Sequence, residues 1–303
     1  MIVRRNLKLA IIFRMAWKSL VFFSVMAVIA PTIHRELGIR VLDLDPATVG
    51  PLGTALAIFL AFRNSTAYDR WWEARKLWGS LINQSRNFAR QVMTYIAPGD
   101  PAHAALRRSL ILQQIAYAHA LRAALRKAPH SLHEPLAQLI DDPELRARIV
   151  GARSTTTTVL EIQGEILMRA YKAQLVDGIH HVELERTLSA ICDVQGGCER
   201  IKNTPLIRPY DYYPRIFVYV YTLFLPFALV GKLGWVTAIV SLPVSFLFYV
   251  LSRIGITVED PFEGRFSDVP LDALCRTIEI SLREQAGDLD LPQPLEPIDG
   301  FLM

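Results

Sequence analysis

Four uncharged apolar runs, separated by very unequal polar stretches, dominate the chain: residues 19–33, 47–62, 216–231 and 233–252. Each is close to the length at which a helix crosses a bilayer, the first when Trp17 and the snorkelling Lys18 are counted with it. Buried helices of soluble proteins reach 15 or 16 residues as well, but the fourth run, at 20, exceeds them. Only Lys232, in the turn Gly-Lys-Leu-Gly, separates the third run from the fourth, so these two spans are antiparallel. The second run does not end where charge begins. No Pro or Gly interrupts it between Ala55 and Trp78, which predicts one long helix passing from an apolar medium into water. Thr54, Ile58 and Phe62 stand four apart and share one face of that helix.

The rest of the pattern is helical and polar. Residues 77–95, 102–127 and 144–172 repeat apolar positions at helical intervals, and 184–194 form another helix followed by Gly196-Gly197. Residues 98–101 and 127–135 read as turns or loops. Thr155 to Thr158 mark a helix start or a local loop. Strand periodicity is missing throughout, so the expected fold is an all-α membrane protein of four transmembrane helices plus a cytoplasmic helical domain. Its expected division is 1–66, an amphipathic N-terminal helix and two spans; 67–213, the helical region; 214–254, two more spans; and 255–303, a C-terminal segment. Arg4, Arg5, Lys8, Arg14 and Lys18, interleaved with apolar residues, suit an interfacial helix leading into the first span.

Composition supports the membrane reading. Of 303 residues 51% are hydrophobic and only 20% charged, below the quarter or so usual in soluble domains. The net charge of +4 is too small for a nucleic-acid partner, and the basic residues flank the apolar runs. Arg63, Arg70, Arg75 and Lys76 follow the second span, while the 34–46 loop offsets its two arginines with three acids. By the positive-inside rule both termini and the helical region are cytoplasmic. The N-terminal stretch lacks a small-residue cleavage site and reads as retained. Three cysteines complete no disulfide framework and match a reducing compartment. No HExxH, phosphate-cradling glycine loop or GxSxG is present, so no enzyme, cofactor or metal is expected.

Residues 61–79, AFRNSTAYDRWWEARKLWG, resemble the signature of the bestrophin-type channels, especially the bacterial members. GGCERIKNTPL at 196–206 and VEDPFEGRFSDVPLDALCRTIE at 258–279 are similar to two further blocks of that branch, in the same order. The resemblance implies a homopentamer with one axial pore, whose second membrane helix lines a hydrophobic neck and whose cytoplasmic helices form a vestibule. Carried over by position, the neck is Thr54, Ile58 and Phe62, and a second cytoplasmic constriction is Ile179. Rings of apolar side chains around an axis gate by dewetting. Thr54 departs from the larger apolar residue of the family, and its hydroxyl eases wetting.

Further residues carry plainer expectations. Arg70, Trp71 and Trp72 anchor the helix where it leaves the membrane. Asp69 and Glu73 are possible vestibule charges. Glu259, Asp260, Glu263 and Asp268 fall where eukaryotic relatives hold calcium, but the longer acidic run is absent and a dedicated calcium site is not expected. His180 and His181 beside Ile179 suggest pH sensitivity. The resulting expectation is a passive channel in the bacterial inner membrane. Its partners are its own copies, the lipid bilayer and permeant monovalent ions, with cations favoured because the bacterial members resemble cation channels. An anion channel of the same architecture, a secondary transporter with Gly50, Pro51 and Gly53 breaking the second span, and a non-conducting scaffold are the alternatives.

Overall fold

A computed structural model describes residues 9–39, 44–96, 99, 101–298 and 300–301, with side chains from Ala16 onward except at 208 and 211. Of the expected interfacial helix at residues 1–18, residues 1–8 lie outside these, and residues 9–18 run without a break into the first span as one helix. Within the described residues the regular structure is helical, apart from one isolated bridge between Ile298 and Phe301. Two compact units result: described residues 9–71 with Pro205–Asp260, and Trp72–Thr204 with the residues from Pro261 onward.

The first unit holds helices α1 (Leu9–Pro31), the start of α2 (Pro46–Tyr95), α8 (Arg208–Leu233) and α9 (Val236–Val258). Four helices among the described residues are long and apolar enough to cross a membrane, and these are the four. A π-helical turn, Thr32–Glu36, extends α1. The α8–α9 turn lies at Gly234 and Trp235, not at Lys232, which remains inside α8. Tyr219 of α8 meets Phe22 and Phe23 of α1, and its hydroxyl lies 3.0 Å from Ser19 Oγ. Leu56 and Leu60 of α2 bury against Val218, with Tyr221, Phe248, Tyr249 and Leu251 around them.

Helix α2 starts where local chemistry says it should. Asp45 accepts a hydrogen bond from the Ala47 amide at 2.9 Å, and Pro46 takes the first helical position, where a missing N–H costs nothing. Gly50, Pro51 and Gly53 do not break it, because Pro51 deletes a single backbone bond near the helix start. The helix continues for 50 residues, further than the uninterrupted run to Trp78 required.

In the second unit α3 (Pro101–Leu125), α6 (Thr155–Lys172), α7 (Gly178–Asn203) and α10 (Leu271–Gln285) pack together, with α4 (His133–Leu139) and α5 (Pro143–Gly151) at one side. Leu110, Ile115, Leu121, Ile162, Leu188, Ile191 and Ile278 are among its buried residues. A buried polar line crosses it: Gln163 donates to Gln114 at 3.1 Å, and Gln114 donates to Ser85 at 2.8 Å. Three expectations change here. The 144–172 helix is two helices, because Ser154 leaves the helical conformation and caps α6 through the Thr157 amide. The 127–135 loop contains a short 3-10 turn, Pro129–Leu132, and the start of α4. Gly196-Gly197 does not follow a helix but lies inside α7.

Candidate pore helix and constriction

The two sides of α2 differ in a way that composition hides. Val49, Leu56, Leu60, Arg63 and Ala67 turn inward and are buried, while Ile58 and Phe62 point outward, 53% and 68% exposed. Large apolar side chains held on the open side of a helix mark a surface that another body covers or that lines something. Thr54 continues this face toward the helix start, its hydroxyl donating to the Gly50 carbonyl at 3.4 Å. Seven positions beyond Phe62, Asp69 returns to within about 20° of the same direction and is exposed.

Arg63 and Asn64, the two residues after Phe62, face the interior instead. The Arg63 guanidinium is 1% exposed, donating from Nη1 to the Ser252 carbonyl at 3.0 Å and from Nη2 to the Glu259 carboxylate at 3.3 Å. Asn64 Nδ2 donates to the Leu251 carbonyl at 2.9 Å. Arg70, expected as a membrane-exit anchor, donates from Nε to the Glu259 carbonyl at 2.8 Å. Trp71 stacks on Tyr68, and Trp72 is exposed. Neither Arg63 nor Glu259 was singled out as a pair by sequence. The sequence signal is an arginine placed directly at the end of an apolar run, where a buried charge needs a partner.

Ile179 occupies the second position of α7 and is 78% exposed. Asp177 caps the helix, accepting from the amides of Ile179 and His180 at 2.9 Å each. The His180 amide foremost, together with its ring 2.6 Å away, holds the Asp177 carboxyl below its usual range. The His180 ring also lies 4.2 Å from that of Tyr95, whereas His181 is buried and stacked on Tyr171.

Three of the remaining acids are engaged. Glu73 pairs with Arg200 at 2.5 Å, so it is not a bare vestibule charge. Glu263 pairs with Lys202 at 2.6 Å, which holds its carboxyl low. Asp268 accepts from the Arg265 amide at 3.0 Å and is raised by burial. Among the described residues no group of three or more His, Cys, Asp or Glu is arranged to hold a metal ion. The three cysteines are free; burial pushes the Cys198 and Cys275 thiols up to about 12.

Comparison with known proteins agrees along nearly the whole chain. The profile of the family described as Bacterial/Fungal Bestrophin protein matches residues 3–284. The voltage-dependent anion channel-forming protein YneE of Escherichia coli is 37% identical over 275 residues, 91% of this chain and 87% of that protein. A voltage-dependent anion channel-forming protein of Mesorhizobium japonicum is 34% identical over 281 residues, 92% of this chain and 87% of that one. The crystal structure of a bacterial bestrophin homologue from Klebsiella pneumoniae superposes with a TM-score of 0.82 at 32% identity, covering 92% of this chain and 100% of that one.

Proposed function

The chain belongs to the bacterial and fungal bestrophin family of membrane channels, and from that premise we propose that five copies form a passive pore for small monovalent ions. The observation that carries the reading is the outward display of Ile58 and Phe62 on the side of α2 away from the buried Leu56 and Leu60. Five such pairs around an axis make a constriction through which an ion passes only by shedding part of its hydration. Thr54 widens the wettable part of this neck, and Ile179 forms the second constriction. The oligomer resides in the inner membrane with both termini on the cytoplasmic side, as the distribution of Lys and Arg requires.

The relatives' names speak for anions, against the cations expected from the sequence. The pore therefore carries chloride or a similar anion. Arg63 does not select it directly, because its guanidinium is buried behind the neck and committed to Glu259. A cation reading has one observation in its favour, the exposed Asp69 on the Phe62 side of α2. A secondary transporter is less well supported, because α2 runs unbroken through Pro51 and provides no mid-membrane gap of the kind such sites use.

The deciding experiment is the reversal potential of the purified oligomer in a planar bilayer under a KCl gradient. A value near the chloride equilibrium potential supports the anion pore, and one near that of potassium supports the cation reading. Well-folded oligomer without any current would count against a channel altogether and favour a transporter or scaffold. Ile58→Ala and Phe62→Ala each raise conductance on this reading; unchanged current in both would remove them from the pore.

A further inference from the structure

We propose that Glu259 is the positioning residue of the neck: by holding Arg63 and Arg70 against the end of α9, it sets how far Phe62 stands into the pore. The inference rests on reading Phe62 as a neck residue. Arg63 follows Phe62 directly and points about 100° away from it. Any rotation of α2 that moves the Phe62 ring must therefore also move the Arg63 guanidinium.

That guanidinium has little room to move. It meets the Ser252 carbonyl and the Glu259 carboxylate at once, and it passes over Gly255, where a Cβ would lie 2.7 Å from Nη1. Asn64 adds its bond to Leu251, and Arg70, about two turns further along α2, adds its bond to the Glu259 carbonyl. Four hydrogen bonds thus tie the stretch of α2 just after Phe62 to the last turns of α9. On the α9 side Glu259 takes part in two of them, one through its side chain and one through its backbone, and on the α2 side Arg63 also takes part in two. It is also the C-terminal cap of α9, where carbonyls lack intrahelical partners and a cation is favoured by the helix dipole. Removing the charge of Glu259 leaves the Arg63 guanidinium with its bond to Ser252 but with its buried charge no longer compensated by this carboxylate.

The arrangement makes the neck sensitive to a residue that does not face it. Glu259→Gln keeps the shape of the side chain and the backbone bond to Arg70, and removes only the charge. The loosened Arg63 then lets α2 turn and the Phe62 ring shift.

The test is single-channel conductance and open probability of purified oligomers in planar bilayers for four channels: wild type, Glu259→Gln, Phe62→Ala and the double variant. The expected result is a several-fold effect of Glu259→Gln in the wild-type background and almost none in the Phe62→Ala background, where no ring remains to be positioned. Arg63→Lys, which keeps the charge with fewer donors, is expected to fall between wild type and Glu259→Gln. Should Glu259→Gln fail to assemble, Glu259→Asp serves in its place, retaining the charge at a shorter reach. An equal effect of the Glu259 variant in both backgrounds, or none in either, overturns the proposal while leaving the neck intact. A Phe62→Ala channel that conducts like wild type overturns the neck reading, and the positioning role with it.

Discussion

Gly197 of α7 lies directly against Leu77 of α2: a Cβ built on Gly197 would fall 2.9 Å from Leu77 Cδ2, well inside van der Waals contact. The neighbouring Gly196 faces open space, with nothing within 4 Å. Two adjacent glycines in one helix therefore do different things. Gly197→Ala is expected to overpack this contact and destabilise the unit by about 1–3 kcal/mol, less any relief from movement of the Leu77 tip. Gly196→Ala is expected to be neutral or to stabilise by up to about 1 kcal/mol, because alanine favours helix more than glycine does. Apparent unfolding temperatures of the two variants in detergent check this; equal shifts would contradict the contact.

Thr54→Val keeps the shape of the outer neck ring and removes its hydroxyl. That hydroxyl bonds only weakly to the Gly50 carbonyl at 3.4 Å, so the fold loses little. A less wettable ring is expected to lower single-channel conductance several-fold, whereas Ile58→Ala raises it. Conductance measured on both variants separates a pore-lining Thr54 from one that merely packs.

Ile179→Ala is expected to change conductance or ion selectivity without disturbing folding, since the side chain is exposed and makes no buried contact. Asp177→Ala, by contrast, removes the cap of α7 and is expected to lower the apparent unfolding temperature. Bilayer recordings on the first and thermal unfolding on the second distinguish a constriction residue from a helix-start residue.

His119 of α3 provides an acid dependence. Burial foremost, then Arg122 and Arg276, push its pKa down to about 4, while Asp272 opposes them. The unfolded chain takes up this proton near 6.5 and the folded chain only near 4, so the unfolded state binds more protons between these values. Stability therefore falls as pH drops through that window, by about 3 kcal/mol in total for a shift of this size, and no further below it. His119→Gln, neutral throughout, is expected to narrow the difference in apparent unfolding temperature between pH 7 and pH 4.5. An unchanged difference would assign the acid sensitivity elsewhere.

The spans, the long second helix and, among the described residues, the absence of strands were legible because each is written locally. In a bilayer every backbone polar group must be satisfied within its own segment, so run length alone indicates a helix. Helix starts are local as well. Asp45-Pro46 announces α2, but Ser154, one polar residue inside a helical pattern, was passed over, because hydroxyls occur in helices as well as at caps. Gly196-Gly197 misled for the opposite reason: its composition says break, and only the neighbouring Leu77 explains why α7 runs through it.

The order of residues is enough to read most of the helices, which of them are apolar enough to cross a membrane, and which residues share a face of α2. It also carried the likeness to the bestrophins in three contiguous blocks. Which face is buried and which is left open follows from packing alone. Leu60 and Phe62 are equally apolar and two positions apart, yet Leu60 is buried against Val218 and Phe62 is left outward. Likewise Arg63 reads as one of several basic residues after the second span until Glu259, 196 positions away, is folded against it. Periodicity relates residues within one helix, whereas burial and ion pairing depend on which other helix arrives, and that is a property of the packed chain.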